Sequence, residues 1–177
     1  MNNNKEKIAA VILAAGQGKR MNQSVQKQFL LLKDKPVLYY ALAAFEKSVV
    51  DEVVLVTGKT EIDFCKKEIV EKFGFQKVKC IVAGGKERYH SVFCGLNSIK
   101  EADIVLIHDG ARPFVDDAII NRTTEGAREH EACVAGMPSK DTIKIADTSG
   151  FAIHTPNRDY VWSIQTPQAF SYSLILK

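Results

Sequence analysis

The sequence predicts an open, mostly parallel α/β sheet with helices on both faces and a projecting β-hairpin arm. Three observations predict it. Short β-rich runs are apolar almost without interruption, as strands covered on both faces require. Amphipathic stretches of helical length alternate with those runs, the pattern of βαβ units. Beyond Pro138 the alternation gives way to two short runs around a turn sequence, the pattern of a hairpin.

Taken in order, residues 8–14 (IAAVILA) form the first strand. Pro36 stands just before a helix over 37–47, where its fixed φ and missing N–H cost nothing. Residues 53–57 (VVLVT) form the second strand, and a helix over 61–73 closes at Gly74, a glycine in the C-terminal cap position. Strand 78–83 (VKCIVA) leads to a helix over 89–101, strand 104–108 (IVLIH) to a helix over 116–129, and 132–136 (ACVAG) is the fifth strand. Residues 142–146 and 151–155 flank Asp147-Thr148-Ser149-Gly150 as the hairpin, an arm of about 138–160 standing off the core. The whole of 1–177 reads as one domain.

Composition bounds the function. A chain of 177 residues that is 46% hydrophobic, 25% charged and 8% aromatic is a folded domain, not a disordered one. It can bury roughly 70% of its unfolded surface, so no disulfide or structural metal is required. The 24 basic and 21 acidic side chains leave +3, too little to point to nucleic acid. Cys65, Cys80, Cys94 and Cys133 are scattered with no CxxC pair, which predicts buried thiols in a reducing compartment and no zinc site. Residues 1–7 lack the layout of a signal peptide, and no apolar run approaches the ~20 residues of a membrane span. The expectation is a cytoplasmic protein with neither a membrane nor a nucleic-acid partner.

Ligands of open α/β sheets sit where strands end, so the loops there carry the functional reading. After the first strand, Ala14-Ala15-Gly16-Gln17-Gly18-Lys19-Arg20-Met21 combines small residues with two glycines, which lets backbone N–H groups approach a phosphate. It is neither a P-loop nor a full GxGxxG, since Met21 takes the third glycine position, and a tight strand-to-helix turn accounts for the same residues. Lys19, Arg20 and Lys27 favour a polyphosphate whose charge grows during reaction. In Gly84-Gly85-Lys86-Glu87-Arg88-Tyr89-His90-Ser91 the glycines admit a flat base and Ser91 can hydrogen-bond it; the alternative is a helix entry with Arg88 holding the loop through carbonyl or carboxylate contacts.

In His108-Asp109-Gly110-Ala111-Arg112-Pro113, Asp109 suits a hard cation such as Mg²⁺ and Arg112 a phosphate, with an Asp–Arg ion pair closing a turn as the alternative. His108 reads as a satisfied structural histidine, and His90, His130 and His154 carry no catalytic pattern. Around the hairpin, Lys140-Asp141-Thr142, Asn157-Arg158-Asp159 and Gln165-Thr166-Pro167-Gln168 read as loops whose cations, hydroxyls and carboxylate suit a phosphorylated polyol.

Five motifs occur in one order: AAGxGxRM (14–21) with Lys27-Gln28 downstream, GGxxRxxSVxxGL (84–96), HDGARP (108–113), KDTIK (140–144) and QTPQxF (165–170). Together they resemble the 2-C-methyl-D-erythritol 4-phosphate cytidylyltransferases of non-mevalonate isoprenoid synthesis, over essentially the whole length. The resemblance implies a nucleotidyltransferase-type, Rossmann-like domain whose arm embraces a second subunit of a homodimer. It implies CTP bound by Ala14, Ala15, Gly16, Gly18, Lys27, Gly85, Ser91, Asp109 and Gly110. Catalysis would rest on Arg20, Lys27 and Arg158, with Mg²⁺ at Asp109. The polyol phosphate would be held by Arg112, Asp141, Thr142, Arg158 and Thr166, some of them across the dimer interface. Lys86 receives no role. Family members continue beyond the position of Lys177, so the resemblance also implies a truncated form, ending in a helix after QTPQ and lacking one phosphate-contacting lysine. That form would bind CTP with impaired or absent catalysis.

Three rivals stay open on the sequence. Ribitol-5-phosphate cytidylyltransferases share the glycine loop and QTPQ, although 155–162 (TPNRDYVW) and KDTIK look more like the methylerythritol enzymes. An inactive nucleotide-binding protein is opposed by the presence of Arg20, Lys27 and Arg158. A Rossmann dehydrogenase lacks its third glycine.

Overall fold

The computed structural model describes residues 5–16 and 25–177. In chain order the elements are β1 (Ile8–Ala14), a small ribbon of β2 (Leu31–Leu32) and β3 (Lys35–Pro36), α1 (Val37–Lys47) and β4 (Glu52–Thr57). A single α-turn, α2 (Ile62–Phe64), then runs into a π-helical stretch, Cys65–Glu71. β5 (Val78–Ala83), α3 (Arg88–Leu96), β6 (Ile104–Asp109), α4 (Asp117–His130) and β7 (Ala132–Pro138) follow. The chain closes with the hairpin β8 (Ile145–Ala146) and β9 (Ala152–His154), a long strand β10 (Trp162–Ser171) and α5 (Tyr172–Ile175).

Six strands form one sheet in the order β5-β4-β1-β6-β10-β7. The first four are parallel, and β10 enters antiparallel between β6 and β7. Successive strand residues face opposite ways, and both faces of β1 are covered. Ile8, Ala10 and Ile12 pack with Leu38, Leu42 and Phe45 of α1, with Ile69 of the π-helical stretch and with Ile120 of α4. Ala9 and Val11 pack on the other face with Val54, Val56 and Leu96 of α3. A strand sealed on both sides has no position for a polar residue, which is why its sequence reads as one apolar run. Burying a side chain such as Leu42 or Phe45 stabilises the fold by roughly 1.5–3 kcal/mol. At the start of α4 the Asp116 carboxylate accepts the Ile119 N–H at 2.8 Å and caps the helix.

The structure departs from the sequence reading in four places, the first being the helix expected over 89–101, which ends at Leu96. The helix expected over 61–73 is helical to Phe73 but changes type, α-helical at Ile62–Phe64, π-helical over Cys65–Glu71 and α-helical again at 72–73, and the π-helical stretch buries Cys65 and Ile69 against the sheet. The segment 165–168, expected as a loop, lies inside β10. Its ladder with β7 shifts register between Ile164 and Gln168. That irregularity accommodates Pro167, which has no N–H to give a regular ladder. The arm's paired strands are shorter than expected, and the Asp147 carboxylate holds their turn by accepting from the Ser149 and Phe151 N–H groups. Of the four thiols, all free, only Cys65 is fully buried; the other three are half-buried.

Candidate active site

The carboxyl ends of β1, β5 and β6 open onto one cavity of about 950 Å³. Ala15, Gly16 and Lys27 line it from the first motif, Gly85, Arg88 and Ser91 from the second, and Asp109 and Arg112 from the third. Lys27, Lys86, Arg88 and Arg112 outnumber Glu87 and Asp109 in this lining, so the field favours an anion. Three motifs distant in sequence thus meet at the carboxyl edge of one parallel sheet, where β1 pairs with β6 and only β4 separates it from β5.

Gly84 sits where β5 turns toward α3. A side chain there would meet Ala15 Cβ at 2.6 Å and Ser91 Oγ at 2.7 Å, so the first two loops touch only because it has none. Ser91 is buried and its hydroxyl accepts the Gly85 N–H at 3.1 Å, which pins the turn. Gly110 and Ala14 are buried and do not line the cavity. The Gly110 N–H donates to the Leu13 carbonyl at 2.8 Å, which joins the third loop to the first strand.

Asp109 is held by two arginines. Arg88 Nη2 lies 3.2 Å from Oδ1 and Arg112 Nε lies 3.2 Å from Oδ2. The loop-holding contact anticipated for Arg88 and the ion pair anticipated for Asp109 and Arg112 are therefore both present. Arg112 also donates through Nη1 to Gln165 Oε1. Among the described residues no group of three or more His, Cys, Asp or Glu side chains gathers around a metal position. A magnesium ion shared with substrate phosphates needs only one or two protein carboxylates, and Asp109 at the cavity wall fits that donor set.

His108 is fully buried beside Phe45, and burial pushes its imidazole down to about 4, so it is neutral near pH 7. Nε2 lies 3.1 Å from the Arg112 carbonyl, which can only accept, so the proton sits on Nε2. Nδ1 then accepts the Thr166 hydroxyl at 3.0 Å, and Thr166 Oγ1 accepts the Asp109 N–H at 3.2 Å. The histidine is satisfied and structural, as the sequence suggested. Its two partners tie the HDGARP turn to the irregular part of β10.

A second cavity of about 660 Å³ adjoins the first and shares Ala111 and Arg112 with it. Thr166 and Gln165 line it with apolar Phe114, Val134 and Met137. Asp141, Thr142 and Arg158 line neither cavity; all three are exposed near the arm, where Arg158 Nη1 donates to the Lys140 carbonyl at 3.4 Å. Gly18 and Arg20 lie outside the described residues. Gln28 stood in the KQ motif without a role, yet it is buried and donates through Nε2 to the carbonyls of Ala14 and Gly16. Its place in that motif was the only sequence signal for it. No helix among the described residues is long and apolar enough to cross a membrane.

Comparison with known proteins agrees with this architecture. The family described as 2-C-methyl-D-erythritol 4-phosphate cytidylyltransferase matches residues 8–177. A protein of that name from Lachnoclostridium phytofermentans is 54% identical over 170 residues, covering 96% of this chain and 73% of the relative. One from Clostridium kluyveri is 50% identical over 167 residues, covering 94% and 72%. Among solved structures, the 4-diphosphocytidyl-2C-methyl-D-erythritol synthase of Anaerococcus prevotii superposes with a TM-score of 0.82 at 36% identity, covering 96% of this chain and 72% of that one.

Proposed function

The chain belongs to the 2-C-methyl-D-erythritol 4-phosphate cytidylyltransferase family, and from that premise we propose how its two adjoining cavities share the reaction. The reaction transfers a cytidylyl group from CTP to 2-C-methyl-D-erythritol 4-phosphate in isoprenoid biosynthesis, releasing pyrophosphate. The observation that carries the proposal is the shared wall: Ala111 and Arg112 face both cavities.

CTP occupies the larger cavity. Ala15 and Gly16, with Gly18, cradle its phosphates; Gly85 and Ser91 border the cytosine, and Asp109 borders the ribose and phosphates. Ala14 and Gly110 shape these turns from behind. The methylerythritol phosphate enters by the smaller cavity, against Arg112 and Thr166. Its phosphate is largely ionised at neutral pH, with a second pKa near ~6, so it attacks the α-phosphorus in line without a general base. The protein's task is to bring two anions together and to stabilise the charge that grows at phosphorus. Lys27 and Arg20 do this, which accounts for cations where a hydrolase would present a nucleophile.

Asp109 would hold Mg²⁺ together with the triphosphate, and that ion, when bound, supplies further charge neutralisation. Asp141, Thr142 and Arg158 complete the acceptor site from the arm of a second subunit, so the working form is a homodimer of single-domain subunits. The phosphorylated substrates and free thiols suit a cytoplasmic setting.

The test is pyrophosphate release with CTP, Mg²⁺ and either methylerythritol phosphate or ribitol 5-phosphate. Release with the first acceptor and not the second is expected. Preference for ribitol phosphate, or no release with either, would overturn the reading.

A further inference from the structure

We propose that Gln28 is a positioning residue for CTP, acting through the first glycine loop and Lys27; the proposal rests on the reading of the larger cavity as the nucleotide site. Gln28 follows Lys27 in a single 3₁₀ turn, Lys27–Phe29, and is only 3% exposed. Its Nε2 faces three acceptors: the carbonyls of Ala14 and Gly16, the latter at 3.2 Å, and Gln26 Oε1 at 2.6 Å. Turning the amide over would set its oxygen against those oxygens, so the orientation is fixed by chemistry.

Two consequences follow for the cavity. In a trans peptide the N–H points opposite to the C=O. By holding the Ala14 carbonyl, Gln28 directs the Ala15 N–H away from itself and fixes the peptide plane at the end of β1, where the cavity lining begins. The same amide belongs to the residue after Lys27. The distance between the loop and the lysine is therefore set by one side chain, across a gap of 12–14 residues in sequence. An apolar side chain of the same length would fill the space equally well, so packing alone gives no reason for a buried amide. Buried polar groups persist where their bonds are made, and here those bonds shape the part of the cavity proposed to meet phosphates.

The test uses Gln28→Met, which keeps length and volume but donates nothing, and Gln28→Asn, which keeps the amide but withdraws it by one methylene. Both variants should lose at least tenfold in kcat/KM for CTP, while KM for methylerythritol phosphate changes less than threefold. Calorimetric CTP binding, measured on the same proteins, should weaken at least tenfold. Wild-type kcat/KM and affinity for CTP in Gln28→Met, or equal losses toward both substrates in both variants, would overturn the role. If the wild type binds CTP but releases no pyrophosphate, the proposed division of the reaction between the two cavities fails, while the CTP-affinity comparison still decides the role of Gln28.

Discussion

The strand-end cavity and the arm are built in opposite ways. Around the cavity a set of described groups is braced from behind: Asp109 by two arginines, Arg112 by Gln165, the HDGARP turn by His108 and Thr166, and the glycine loop by Gln28. On the arm, Asp141, Thr142 and Arg158 are exposed on short pieces of chain, and the apolar side chains nearby are exposed as well, Phe151 at 74% and Tyr160 at 83%. The cavity thus carries its own geometry, whereas the arm presents functional residue types that this subunit alone does not brace. Preorganised groups contribute to chemistry because no rearrangement is needed at the moment of reaction. The arm's groups, on the proposed reading, gain that property on meeting a second subunit.

The largest effect should come from the chemistry of the cavity. Lys27→Ala is expected to reduce kcat by about 10²–10³-fold, the range seen when one preorganised charge-stabilising group is removed, while CTP binding weakens much less. Arg20→Ala should behave the same way. Steady-state kinetics alongside calorimetric CTP binding would show it, and near-normal turnover in both variants would remove the proposed distinction between binding and chemistry.

Next in size is the bracing itself. Thr166→Val keeps the shape of the side chain but leaves the Asp109 N–H and His108 Nδ1 without their partner. Leaving a buried group unsatisfied costs about 1–3 kcal/mol, so thermal unfolding should move down by several degrees, and Thr166→Ser should recover most of the loss. An unchanged unfolding temperature in Thr166→Val would mean that the link between β6 and β10 is not what holds the turn.

The same contrast explains what could be read from the sequence. β1, β4 and β6 were legible because burial on both faces leaves an unbroken apolar signature, as in residues 8–14. The glycine turns were legible because close approach restricts residue type, as at Gly84. β10 was not legible: Gln165, Thr166 and Pro167 look like loop, and only the register shift beside β7 lets a strand contain them. The π-helical stretch was hidden because its buried residues, Cys65 and Ile69, are four apart, as on an ordinary helix. The braces were hardest of all, since a hydrogen bond between Gln28 and Ala14 leaves no periodicity in the chain. The residue types around Asp141, Thr142 and Arg158 suggested a phosphorylated polyol and the resemblance gave each its role, while the contact of the Arg158 guanidinium with the Lys140 carbonyl is long at 3.4 Å.

The smallest expected effect on stability is the most informative about the arm. Arg158→Ala removes an exposed side chain whose contact with the Lys140 carbonyl, at 3.4 Å, is long, so unfolding should shift by no more than about 0.5 kcal/mol. Activity should nonetheless fall, with KM for methylerythritol phosphate rising about tenfold and CTP binding unchanged, since loss of one charged contact is worth about 1.4 kcal/mol or more. Mixing then decides which cavity the arm serves. If Arg158 reaches into the partner's site, a heterodimer of the Arg158→Ala and Lys27→Ala chains contains one site with both defects and one with neither. Co-refolding the two variants should then recover activity well above the sum of the separate proteins. If the arm folds back on its own cavity, every site in the mixture carries one defect and no recovery occurs. The braced cavity and the unbraced arm would then be two parts of one subunit's site, and the homodimer would lose its proposed role in completing it.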